Sequence, residues 1–367
     1  MTDAVAVGID ELLARRVEAA ERFFEREAGR IALLCRELAD RFLSGGRLLA
    51  VGGSAQAWSD ARHLAVEFVH PVIVGKRALP ALAVSPEQAR LLAGEDDVLA
   101  SFAPLTIAGE ELEPPHDDPF VRQELGETVY HVLWELVHVF LEHRATATRD
   151  AGAASFLYPF LDQSATGDAA LVEDVRRSVL AKAQEVSALR EQTLTDGREA
   201  LVEAAAELRA ALDGGGTLLA FGNGGSATDA MDLVADFRQA PQAGPQGWPA
   251  RRALDLTDDP AILTALANDI GAEVLFSRQI IAYGRPGDVA LALSTSGNSA
   301  NVVAALEEAR RRGLATIAFV GYDGGRVAAE RLADHVVVTR SEHIPRIQEA
   351  QATAYHALRE LVEQPRR

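Results

Sequence analysis

Residues 293–299 read LSTSGNS, ending an apolar run and opening a helical pattern. Four hydroxyls stand within six positions, on Ser294, Thr295, Ser296 and Ser299, where a helix N-cap needs only one. A helix start offers backbone N–H groups without intrahelical partners, at the positive end of the macrodipole. Gly297 allows close approach to the backbone. The chemistry this favours is the holding of a phosphate dianion, even in a chain of net charge −18. A serine-rich cap that serves only its helix is the other reading. A second turn, GNGGS at 222–226, lies at another strand–helix junction and supplies Asn223 and Ser226. Glycine-rich turns are weakly specific alone, but two in one unit reinforce each other.

A second group is acid–base or metal-binding in type. His63 and Glu67 are four residues apart on a helical stretch, so both leave one face. That suits two ligands of one divalent ion. His131 lies further on, with Gln123 eight residues before it, about 12 Å along a helix. Spacing alone does not join these four residues. Packed histidines and a solvated acid remain open at this point.

The elements that must position these residues come in two similar series. GGRLLAVGGSA at 45–55 resembles GGTLLAFGNGGSA at 215–227, each a short strand entering a Gly-Ser turn. Helical patterns precede them, over about 9–43 and about 184–212. HLAVEF at 63–68 matches DLVADF at 232–237, and RALPALAVS at 77–85 is answered by RALDLT at 252–257. Gln123 and His131 recur at identical spacing as Gln348 and His356. We expect two copies of one α/β unit: a degenerate one over 1–145, a linker over 146–175, and a complete one over 176–367. The second has strands at 287–293, 315–320 and 335–339 and a helix at 300–312. Apolar strands alternating with helices predict a parallel sheet covered on both faces. The first copy lacks the loop, helix and strand that follow its third strand.

Composition narrows the classes. With 367 residues, 48% hydrophobic and 25% charged, the chain reads as globular and of two domains. Lys+Arg number 36 against Asp+Glu 54, which argues against nucleic acid as a partner. The lone cysteine, Cys35, excludes an intrachain disulfide and reads as a small core residue. The opening residues lack a basic region followed by an apolar block, and no run approaches a membrane span. A cytoplasmic protein without membrane contact is expected. His70, His116, His138 and His143 read as surface or packing residues.

GNGGSATDAMDLVADF (222–237), LTDDPAILTALANDIGAEVLFSRQI (256–280), the STSGNS loop and RIQEAQATAYH (346–356) resemble the sugar isomerase (SIS) family. The resemblance is closest to its phosphoheptose isomerase branch, which converts sedoheptulose 7-phosphate to a heptose 7-phosphate. It covers about 184–363 well and 9–143 in degenerate form. It implies a three-layer αβα sandwich, oligomers with sites at subunit interfaces, and zinc held by His, Glu, Gln and His. The implied phosphate pocket falls on Ser226, Ser294, Thr295, Ser296 and Ser299. The implied zinc ligands match fully at His63, Glu67, Gln123 and His131. In the second copy they fall on Asp232, Asp236, Gln348 and His356, where the first two depart and the geometry is expected to suffer. By resemblance, Asp258 or Asp259 meets substrate hydroxyls; a turn cap before Pro260 is the alternative.

The departures divide the labour. One copy keeps the phosphate loop and the other keeps the metal set, so the fused halves are expected to form one composite pocket. Aldose–ketose isomerisation needs a base and an acid around an enediol, roles expected of Glu67 and His131. The assembly expected is a homodimer of the fused pair, equivalent to the family's tetramer. A non-catalytic adaptor and a sugar-phosphate sensor are the rival readings.

Overall fold

A computed structural model describes residues 2–71, 76–112, 114, 116–146, 168–239 and 247–364. They divide into two compact units. The N-terminal unit comprises Arg16–Asp117 and Val121–Ser187, and the C-terminal unit comprises Met1–Arg15, Asp118–Phe120 and Ala188–Arg367.

In the N-terminal unit, α1 (Thr2–Leu43, from residue 16 on) leads into β1 (Leu48–Val51), then α2 (Ala55–Val69), β2 (Ala81–Val84), α3 (Pro86–Leu92) and β3 (Val98–Phe102). The LLAV run of β1 lies between β2 and β3 and parallel to both, with Leu48 opposite both Ala81 and Val98. Leu48, Leu49 and Ala50 are fully buried, as an apolar parallel strand between neighbours requires. Ser54 caps α2 by accepting from the Ala57 N–H, and Ser85 with Gln88 forms a capping box on α3. After β3 the chain folds straight back as β4 (Leu105–Ile107) and β5 (Glu110–Glu111), both antiparallel. This hairpin stands where the C-terminal unit continues with a loop, a helix and a parallel strand. Leu82 and Leu99 stay exposed at 41% and 44%, leaving part of one sheet face uncovered within the unit. The helices α4 (Pro119–Thr146) and α5 (Asp168–Asp196) complete it. Cys35 is buried in the core, where burial pushes its thiol pKa up.

In the C-terminal unit come α6 (Arg198–Asp213), β6 (Leu218–Phe221), α7 (Gly225–Arg238), β7 (Ala253–Asp255), α8 (Pro260–Asp269), α9 (Ser277–Tyr283) and β8 (Val289–Ser294). There follow α10 (Ala300–Arg311), β9 (Ala315–Gly321), α11 (Gly325–Ala329), β10 (His335–Thr339) and α12 (Ile344–Glu363). The sheet order is β10-β9-β8-β6-β7, parallel throughout. Alternate residues of β6 and β8 enter separate cores. Leu218, Ala220, Val289 and Leu291 pack with α6 and α12, while Leu219, Phe221, Ala290 and Ala292 pack with α9 and α10. Those two cores on opposite sheet faces are the expected three layers.

The elements depart from expectation at two places. The helix expected over 184–212 is two helices, because Gly197 interrupts it: a Cβ there would lie 2.8 Å from the Thr193 carbonyl oxygen and from Val337 Cγ1. The linker expected at 146–175 falls largely on 147–167, outside the described residues, and 168–175 are the first turns of α5. Among the described residues no helix is long and apolar enough to cross a membrane.

Candidate functional site

In the C-terminal unit, β8 is buried along its whole length and delivers Ser294 to the start of the loop. The Ser294 hydroxyl accepts from the Gly297 N–H at 3.1 Å. The Ser296 hydroxyl accepts from the Asn298 N–H at 3.2 Å. The Asn298 side chain donates to the Ser296 carbonyl and accepts from the Arg326 N–H. Gly297 has φ +60°, and a Cβ there would meet the Gly324 carbonyl oxygen at 2.2 Å. Only glycine fits both the conformation and the space. Ser299 is the N-cap of α10, yet its hydroxyl makes no capping bond. Ser299 and the half-buried Thr295 and Ser296 therefore stand beside first-turn N–H groups, which is the donor arrangement an anion needs.

The β6–α7 turn is tied to this loop. Gly222 lies so close to Ser226 that a Cβ would be 2.4 Å from its carbonyl oxygen, and Ser226 is buried. Asn223 exchanges two side-chain hydrogen bonds of 2.9 Å with Asn301, in the first turn of α10. Sequence reasoning passed over Asn301, although its place two residues after Ser299 was a usable signal. Asp259 proves to be the helix cap, accepting from the Ala261 and Ile262 N–H groups. Asp258 remains exposed beside it.

In the N-terminal unit, α2 carries His63 and Glu67 one turn apart and α4 carries His131. The two Nε2 atoms face each other at 3.3 Å, and Glu67 Oε1 lies 3.9 Å from His63 Nε2. The three donors lie within 4.8 Å of one another, and all three residues are buried. Burial, and then the neighbouring His131, hold the His63 pKa well below the usual imidazole range, so His63 is neutral and keeps a lone pair to offer. The Tyr130 ring packs 5.2 Å from His63 and 5.1 Å from His131. Two buried imidazole nitrogens converging with a carboxylate oxygen are a donor set that fits zinc. Gln123 is half-buried on α4, two turns before His131.

The matching set in the C-terminal unit converges as well, which the shortened side chains did not lead us to expect. His356 Nε2 lies 3.3 Å from Asp232 Oδ2 and 3.5 Å from Asp236 Oδ2. The Tyr355 hydroxyl donates to Asp232 Oδ2 at 2.8 Å. Phe120 stacks on the His356 ring at 4.5 Å. The Arg359 guanidinium donates to the Asp236 carbonyl oxygen. The donors here are one nitrogen and two carboxylates, all buried. Gln348 is buried on α12, two turns before His356.

Residues 183–321 match the SIS domain family. The chain is 44% identical over 185 residues to the phosphoheptose isomerase of Desulfovibrio desulfuricans, an alignment covering 50% of this chain and 86% of that one. It is 46% identical over 179 residues to the phosphoheptose isomerase of Chlorobium phaeobacteroides, covering 48% and 78%. The C-terminal domain of glucosamine-fructose-6-phosphate aminotransferase from Francisella tularensis superimposes with a TM-score of 0.57 at 11% identity, over 96% of this chain and 93% of that one. That last likeness is one of fold.

Proposed function

Because the chain belongs to the SIS-domain family, in its phosphoheptose isomerase branch, we propose that this isomerase of sugar phosphates interconverts sedoheptulose 7-phosphate and a heptose 7-phosphate. The observation that carries the proton chemistry is the buried meeting of His63, Glu67 and His131.

The loop Ser294–Ser299, with Ser226 and Asn223, grips the phosphate. Its binding energy is remote from the reacting carbons and serves to orient them. Asp258 and Gln348 meet the sugar's polar groups. The Glu67 carboxylate takes the proton from the carbon next to the carbonyl, and the His131 imidazole gives a proton to the carbonyl oxygen, leaving an enediol. Return of the proton to the neighbouring carbon, with loss of the other hydroxyl proton, completes the exchange. His63, Glu67, Gln123 and His131 would hold a zinc ion; a ring nitrogen that holds the ion carries no proton, so with zinc bound its polarisation of the carbonyl would stand in for the His131 proton.

The proposed division of labour assigns the grip to 176–367 and the proton chemistry to 1–145, as two copies of one unit joined by a linker over 146–175. Strand order supports the duplication: β2-β1-β3 in one unit repeats β7-β6-β8 in the other. The proposal includes a homodimer of this fused pair in the cytoplasm.

The test is to incubate the purified chain with sedoheptulose 7-phosphate and follow aldose formation, with zinc content measured and a chelator arm. Turnover that the chelator abolishes is the expected result. A chain that turns over no ketose or aldose phosphate, yet still binds the esters, is a sensor instead. The aspartates at 232 and 236, within the half that aligns best, are the observation favouring that second reading.

A further inference from the structure

Glu127 lies on α4 one turn before His131, so the two side chains leave the same face of the helix. It is buried, and a carboxylate oxygen comes within 4.8 Å of a His63 ring nitrogen. It is nevertheless not one of the mutually close trio of His63, Glu67 and His131. His63 turns its Nε2 toward both other members of that trio. An imidazole that offers one nitrogen must have its other nitrogen protonated and held, commonly by a carboxylate.

The repeated frame supplies a second observation. Gln348 and His356 repeat the spacing of Gln123 and His131, so residue 352 occupies the place of residue 127, and it is a buried alanine, Ala352. In that frame Asp232 stands in the place of His63, and its Oδ2 is held by the Tyr355 hydroxyl. A carboxylate is thus present where its neighbour is an imidazole. It is absent where the neighbour is itself a carboxylate, which it would repel.

We infer that Glu127 is the positioning residue for His63, fixing the ring's orientation and tautomer so that Nε2 faces Glu67 and His131. This rests on the donor set proposed above. The test uses the full chain with Zn(II), and with Co(II) for its visible spectrum. Glu127→Gln is expected to weaken Zn(II) binding about 10- to 100-fold in chelator competition and to shift the Co(II) spectrum. Glu127→Asp, which keeps the charge, recovers part of the affinity, and Glu110→Gln, an exposed control, changes neither readout. Wild-type affinity and spectrum in Glu127→Gln would overturn the inference. So would equal loss of affinity in both Glu127 variants together with equally early melting of the metal-free chains, which marks a purely structural role. A wild-type chain that binds neither ion overturns the donor set and this inference together, and is told apart because no variant is needed to see it.

Discussion

Two clusters, one in each unit, are spaced alike in the sequence and differ in what they are made of. One joins two imidazoles to a carboxylate, His63, His131 and Glu67, and the other joins two carboxylates to one imidazole, Asp232, Asp236 and His356. The first is short of positive charge, since burial keeps His63 neutral. It gains from a cation or from exchanging protons. The second gathers its own partners: His356 Nε2 lies 3.3 Å and 3.5 Å from the Asp232 and Asp236 carboxylates, and the Tyr355 hydroxyl donates to Asp232. Residue type at two positions thus separates a donor set that fits a cation from one that links α7 to α12.

The sharpest way to break the comparison is turnover. Glu67→Gln or His131→Ala should lower kcat about 10²- to 10⁴-fold, and Asp236→Asn should lower it less than about tenfold. Equal losses in steady-state assays would erase the distinction. Stability should show the reverse. His356→Leu strands two buried carboxylates and should cost about 3–5 kcal/mol in urea unfolding. Should His356→Leu prove neutral, the C-terminal cluster does not hold the fold together.

A third buried imidazole supplies a reference. His138 is pushed down to about 3, first by burial and then by Lys76 and Arg77. Among the described residues its Nε2 has no hydrogen-bond partner. Its folded pKa lies below its unfolded value, so below about pH 6.5 the unfolded chain takes up a proton that the folded one refuses. Its contribution is therefore whole above about pH 6.5, falls as pH drops toward about 3, and totals on the order of 2–4 kcal/mol. His138→Gln should flatten the stability profile across that window; an unchanged slope in denaturant titrations would show His138 is protonated in the fold. The smallest effect is expected at the hydroxyl loop, 294–299. Ser296→Ala should raise KM about tenfold, equivalent to about 1.4 kcal/mol, with kcat little changed. A kcat loss without a KM change would move Ser296 out of the grip.

Much of this was legible in residue order. The apolar strands, the helix after each glycine turn and the three layers follow from hydropathy pattern and turn chemistry. The hydroxyl loop was found because four hydroxyls exceed what a cap requires. The meeting of His63 with His131, 68 residues apart, was not visible in spacing and needed the resemblance to propose it. Spacing also hid the closure of Asp232 and Asp236 on His356, since side-chain length says nothing of how closely two helices approach. Gly197 was read as an ordinary helix residue because helical periodicity continues on both sides of it, while the crowding that excludes a Cβ comes from Val337, 140 residues away. Asn301 and Glu127 were missed because each acts through a partner distant in the chain.

The contact between Gly297 and the Gly324–Gly325 turn means that the hydroxyl loop is braced from behind. A braced loop has little ordering left to do when an anion arrives, so the entropy usually lost at that moment has already been spent in folding. Inorganic phosphate alone should then bind with little added hydrogen-exchange protection over 294–299, as an ion does on entering a mould already set.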